Sequence, residues 1–132
     1  MSLTDALEAL KVRLESIDGL TVTTDPAAEV VVPMAIVDIV EMDYNEAFER
    51  GGSLLAFQVI VYVSGADNPE GLYEARSYLS AYGDRSVRVA IETAPDAGDG
   101  VSYVVVDTGR REVSDNFITA RFDCRSQLPG PS

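Results

Sequence analysis

SLLAFQVIVYVS, residues 53–64, decides how this chain is read. Side chains alternate between the two faces of a strand. Leu55, Phe57, Val59, Val61 and Val63 therefore form one row, and Leu54, Ala56, Gln58, Ile60 and Tyr62 the other. The first row belongs under helices. The second is far more apolar than the solvated face of an antiparallel sheet usually is.

Just upstream, MDYNEAFERGG (42–52) is expected to be an exposed loop, yet it carries Tyr44 and Phe48 with Arg50 close by. Gly51-Gly52 permits a sharp return into the long strand. Before the loop, MAIVDIVE (34–41) reads as a strand with Met34, Ile36 and Val40 opposite Ala35, Val37 and Ile39. The two strands form a hairpin whose tip spans ~11 residues, where two to five is the norm.

Working outward, Leu3, Leu7, Leu10, Leu14 and Ile17 recur at helical spacing, with Glu8, Lys11, Arg13 and Glu15 on the other face. This is an amphipathic helix with Ser2 or Thr4 as its cap and Gly19 as its stop. LTVTT (20–24) is a short strand, and DPAAEVVVP (25–33) a connection. Asn68, Pro69 and Gly83 punctuate a second helix, whose packed stripe is Leu72, Ala75, Tyr78 or Leu79, and Tyr82. RSVRVAIET (85–93) reads as one or two further helical turns, with a strand as the alternative, and APDAGDG (94–100) as a loop. VSYVVVDT (101–108) is a strand, Gly109-Arg110-Arg111 a turn, and EVSDNFITARFDCR (112–125) the last strand. In it Ile118, Ala120, Phe122 and Cys124 point inward and Thr119, Arg121, Asp123 and Arg125 outward. The order α-β-β-β-α-(α)-β-β predicts a single α+β domain over residues 1–125: an antiparallel or mixed sheet of about five strands with two main helices, and a short third, on one face. Residues 126–132, with two prolines and a glycine, are expected to form a flexible tail.

Charge is lopsided: 22 acidic against 10 basic residues, a formal net charge of −12. Such a surface repels nucleic acid, and it repels its own copies unless apolar contact and local charge pairing overcome the repulsion. There is no histidine, which removes Ser–His and Cys–His nucleophile systems and HExxH or mixed Cys/His zinc sites. The single cysteine, Cys124, cannot form an internal disulfide or a CxxC centre, and it sits on an inward row where thiols are inert. Asp96, Asp99 and Glu92 do not make a calcium loop, because Gly98 falls where a ligand is needed. Asp38/Glu41 and Asp107/Glu112 have no distinguishing spacing in so acidic a chain, and Arg110-Arg111 reads as a local salt-bridge partner. No catalytic, cofactor-binding or metal site is expected. The opening MSLTDALEAL has no basic flank, so neither a signal peptide nor a membrane span is expected, and the chain reads as soluble and intracellular in origin.

Two helices and a short third shield one face of such a sheet, hardly both. Either the sheet curls or the long loop folds back over the second face, or another subunit covers it, as exposed apolar patches of several hundred Å² usually signify. Tyr44 and Phe48 divide the same way, between loop anchors and interface anchors beside Arg50.

The residues also carry a resemblance. TDALEALKVRLESIDGLTV, then Tyr44, Ala47, Phe48, Arg50 and Gly51 in a Y-x-x-AF-x-RG pattern, then LAFQVIVYVSGAD, resemble the tail terminator proteins of long-tailed (siphovirus-type) bacteriophages, those of actinobacterial hosts most of all. The resemblance runs over residues 3–125. It implies a virion protein made in the host cytoplasm and located where tail meets neck. Its homohexameric ring would sit on the last ring of the major tail tube protein, end tube growth and join the head-completion (neck) proteins, while DNA passes through the lumen unbound. Tyr44, Phe48, Arg50, Leu54, Ile60 and Tyr62 are the expected protein-interface residues. A head-closure protein of the same particle, or a small-molecule binding domain, are the alternatives.

Overall fold

The computed structural model of the chain describes residues 3–44, 53–92, 101–114 and 116–128. In order, the elements are α1 (Leu3–Leu14), β1 (Thr21–Thr23), β2 (Met34–Asp43), β3 (Ser53–Gly65), α2 (Glu70–Leu79), α3 (Val87–Glu92), β4 (Ser102–Val113) and β5 (Phe117–Leu128). The strands form one mixed sheet in the order β1-β2-β3-β5-β4, with β1 parallel to β2 and the other pairs antiparallel. The expected α+β architecture holds, and within the segment read as 85–93 Val87–Glu92 takes the helical alternative.

β3 lies at the centre because its alternation suits a strand with neighbours on both sides. Its inner row is fully buried: Leu55, Phe57, Val59 and Val61 are each 0–1 % exposed. Across from it stand Val37 and Ala35 on β2 and Cys124, Phe122 and Ala120 on β5. Ala6, Leu10 and Leu14 of α1, Ala75 and Tyr78 of α2, and Val87 and Ile91 of α3 share one core with these rows. All three helices therefore lie on the inner face. Gly19, at φ 80°, reverses the chain after α1. Asn68 caps the start of α2 through Oδ1, which accepts the Glu70 N–H.

Several expectations are corrected. Arg13 is not on the outer face of α1. It is 6 % exposed, and its guanidinium donates to the carbonyls of Ile91 and Val101, both at 2.8 Å. Tyr82 is 79 % exposed, because α2 ends at Leu79 and its helical phase does not reach that far. Val40 does not continue the row of Met34 and Ile36: a register shift between Ile39 and Glu41 breaks the alternation, and Val40 is 57 % exposed.

The largest correction concerns β4. It passes straight through Gly109-Arg110-Arg111 and ends at Val113, after which Ser114 N–H donates to Phe117 O and Phe117 N–H to Ser114 Oγ. Gly109 is there for packing. A Cβ at that position would lie 3.0 Å from Phe122 ring carbons and 3.1 Å from Leu79 Cδ2, so the absent side chain admits the ring. The last strand accordingly begins at Phe117 and runs to Leu128, with Ser126 and Gln127 buried, so the tail does not start at 126. Residues 129–132 lie outside the described residues, as do Ser2, Ala47, Phe48, Arg50, Gly51, Gly52, Asp96, Gly98 and Asp99.

Candidate interface on the second face of the sheet

The second row of β3 meets no helix. Leu54, Ala56, Ile60 and Tyr62 are only half-buried and stand outside the core cluster. Their cross-strand neighbours divide the face in two. On the β2 side, Tyr62 pairs with Met34 and Ile60 with Ile36. Met34 and Ile36 are 3 % and 5 % exposed although neither belongs to the main core, so this corner has some cover of its own. The Phe117 ring meets Tyr62 edge-to-face at 5.4 Å between centroids, extending the apolar strip to the β5 end.

On the β5–β4 side the face is polar. Asp123 accepts from Gln58 Nε2 at 3.2 Å and from Thr108 Oγ1 at 3.1 Å. Arg125 donates to both carboxylate oxygens of Asp107, at 2.8 and 3.0 Å. Glu112 lies between Arg110 (2.9 Å) and Arg121 (3.5 Å). Partly exposed pairs of this kind each contribute only about 0–1 kcal/mol. Their consequence is electrostatic rather than energetic. Three arginines, 110, 121 and 125, balance Asp107, Glu112 and Asp123, so a chain of net charge −12 has here a sheet surface with no net charge. Arg121 Nε is buried without a hydrogen-bond acceptor among the described residues.

The expected interface residues are thus partly brought together. Ile60 and Tyr62 share one strip, Leu54 lies at the far end of the same row, past Gln58 and between Asp43 and Gln127, and Tyr44, 75 % exposed, follows β2 at the start of the hairpin connection. Phe48 and Arg50 fall outside the described residues. Phe117 and the ion-paired half of the face were not anticipated. The outward alternation of Thr119, Arg121, Asp123 and Arg125 was the available signal; their partners on β4 were hidden by the assumed turn at Gly109.

Among the described residues, Cys124 and Tyr78 are buried and Glu92 is engaged by its neighbours. Burial, reinforced by the charges of Asp123, Asp107 and Glu92, pushes the Cys124 thiol up to about 12, so it stays protonated and weakly nucleophilic at neutral pH. Burial likewise raises the Tyr78 hydroxyl, with Arg85 opposing the shift. Glu92 accepts the Val106 N–H at 2.8 Å and pairs with Arg88 at 2.9 Å. Among the described residues no three His, Cys, Asp or Glu side chains are grouped to hold a metal ion, and no helix is long and apolar enough to cross a membrane. No family model matches the chain, and no curated protein matches it as a relative.

Proposed function

We propose that the chain is a structural subunit, not a catalyst, and that it works as a tail terminator: copies form a ring that caps the tail tube of a long-tailed bacteriophage and offers a joint to neck proteins. The observation that carries this reading is the strip Ile60, Tyr62 and Phe117, apolar and half-buried, on a sheet whose three helices are all committed to the opposite face. Exposed apolar area of this type is where subunits meet. The charge-balanced half of the same face supports the reading, since copies carrying −12 each can approach there with little repulsion. The sequence pattern over 3–125 that resembles tail terminators supplies the rest. On this reading the ring is homohexameric and resides in the virion neck, and DNA traverses an acidic lumen without being held.

The test is capping. Purified chain added to polymerising tube subunits of the same particle is expected to shorten the tubes seen by electron microscopy, with label at one end only. Ile60→Ser combined with Tyr62→Ser should keep the fold, judged by circular dichroism, and lose capping. Tube lengths unaffected by the wild-type chain would overturn the assignment.

A further inference from the structure

Among the described residues, no strand pairs with β4 on the side away from β5, so it is an edge of the sheet. Two hydrogen bonds show which of its main-chain groups are left open. Ser114 N–H donates to Phe117 O, so Ser114 and, by antiparallel alternation, Glu112 and Arg110 turn their N–H and C=O toward β5. Gly109, Arg111 and Val113 turn theirs outward. Val106, beyond the register shift, also points outward, and there Glu92 Oε1 accepts its N–H at 2.8 Å. The fold thus closes one outward position with a carboxylate and leaves three open in succession. Those three stand opposite Phe122, Ala120 and Ile118, so their side chains belong to the helix side of the sheet. Gly109 borders a cleft of about 370 Å³ whose walls include Leu79, Arg88, Val106 and Phe122. Arg111 is exposed with no ion pair among the described residues, whereas Arg110, on the other face, is paired with Glu112. Val113 is 58 % exposed.

We infer that this edge takes up an extended segment of a partner protein as an added strand. A row of open main-chain groups is a template for strand pairing, and bonds to Gly109, Arg111 and Val113 hold the incoming segment. Its alternate side chains fall on the helix side and meet a fixed series: the cleft beside Gly109, the Arg111 guanidinium, and the exposed methyls of Val113. The segment that fits therefore reads apolar-x-acidic-x-apolar. The intervening positions meet Arg110 and Glu112, which already neutralise each other and select little. A second copy does not fit. Antiparallel pairing of two β4 edges joins residues of the same hydrogen-bonding phase. Within 109–113 it sets Arg111 against Arg111, Gly109 or Val113 of the other copy, never against a carboxylate. Asp107, past the register shift, already holds Arg125. The contact uses the edge and the helix side, so the second face stays open to copies of the chain. The inference goes beyond the ring reading and does not depend on it.

A peptide titration of the full chain, followed by nuclear magnetic resonance of its backbone amides, tests the inference. The probe is the end-blocked peptide Thr-Val-Thr-Glu-Thr-Val-Thr. Saturable shifts at Gly109, Arg111 and Val113 are expected by about 1 mM peptide, with slowed exchange of those three amide protons. Methylating the backbone nitrogen of the peptide's glutamate removes a strand-pairing donor and should abolish binding. Replacing that glutamate by lysine should weaken binding roughly tenfold, and Arg111→Glu, at an exposed position, should reverse the preference between the two peptides. No saturable shift, equal affinity for the two peptides, indifference to methylation, or shifts centred on Ile60 and Tyr62 would each overturn the inference. Protection of the same amides on concentrating the chain without peptide would make a second copy the occupant and overturn it too.

Discussion

Phe57 and Ile60 are three residues apart on the same strand and similar in character, yet one is 1 % exposed inside the core and the other is half-buried on a face no helix reaches. Strand propensity and hydrophobicity are nearly equal in the two rows of β3. The difference lies in what packs on them. Three helices converge on the inner row, so its side chains hold the monomer together, whereas the outer row is free to serve a contact between molecules. Apolar patterning reports that a surface is to be covered; it does not report by which chain.

The sharpest way to break that distinction is a pair of truncations. Phe57→Ala is expected to lower the stability of the monomer by about 3–5 kcal/mol, through lost transfer energy and the cavity left behind. Ile60→Ala should lower it by less than about 1 kcal/mol, because its side chain is already partly in water. Urea denaturation at low protein concentration reads both, and equal costs would mean that the second face is as much a core as the first.

Arg13 sharpens the comparison from the inner side. Arg13→Met keeps the length of the side chain and removes both hydrogen bonds to the Ile91 and Val101 carbonyls. Leaving buried acceptors unpaired costs about 1–3 kcal/mol, seen as a lower denaturation midpoint. A midpoint unchanged within error would show that α1 is held by its leucines alone.

The smallest effect, near neutral pH, is that of Cys124. With its proton held up to about pH 12 in the fold, the thiol should resist alkylation at pH 8 and react at the rate of an ordinary cysteine once urea unfolds the chain. The sign of the linked stability follows from the raised value. The contribution is whole below the unfolded thiol pKa of about 8.5 and declines by about 1.4 kcal/mol per pH unit as pH rises from there toward 12. Cys124→Ala should flatten that alkaline decline, and rapid labelling of the folded protein at pH 8 would place the thiol outside the core.

Much of the fold was legible because helical spacing and strand alternation are direct readouts of burial. Leu10 and Leu14 of α1 and the inner rows of β3 and β5 all fall where their periods put them. Three features were not legible, each for a physical reason. Gly109 reads as a turn in any sequence, since only the facing Phe122 ring reveals that the missing Cβ is needed for space. Arg13 reads as solvated because arginine usually is; its spacing of seven from the fully buried Ala6 was the one hint that it lies on the packed side. Val40 followed strict alternation, which a β-bulge interrupts without any mark in composition. Of the candidate interface, the apolar strip was visible in the alternation of β3, while the ion-paired half depended on the pairing of β4 with β5 and so on the turn that was misplaced.

The grip of Arg13 also orders events during synthesis. Its two acceptors lie 78 and 88 residues further along the chain, and translation delivers about 5–20 residues each second. α1 therefore leaves the ribosome well before the segments that lock it, and for several seconds its leucines wait without their permanent neighbours.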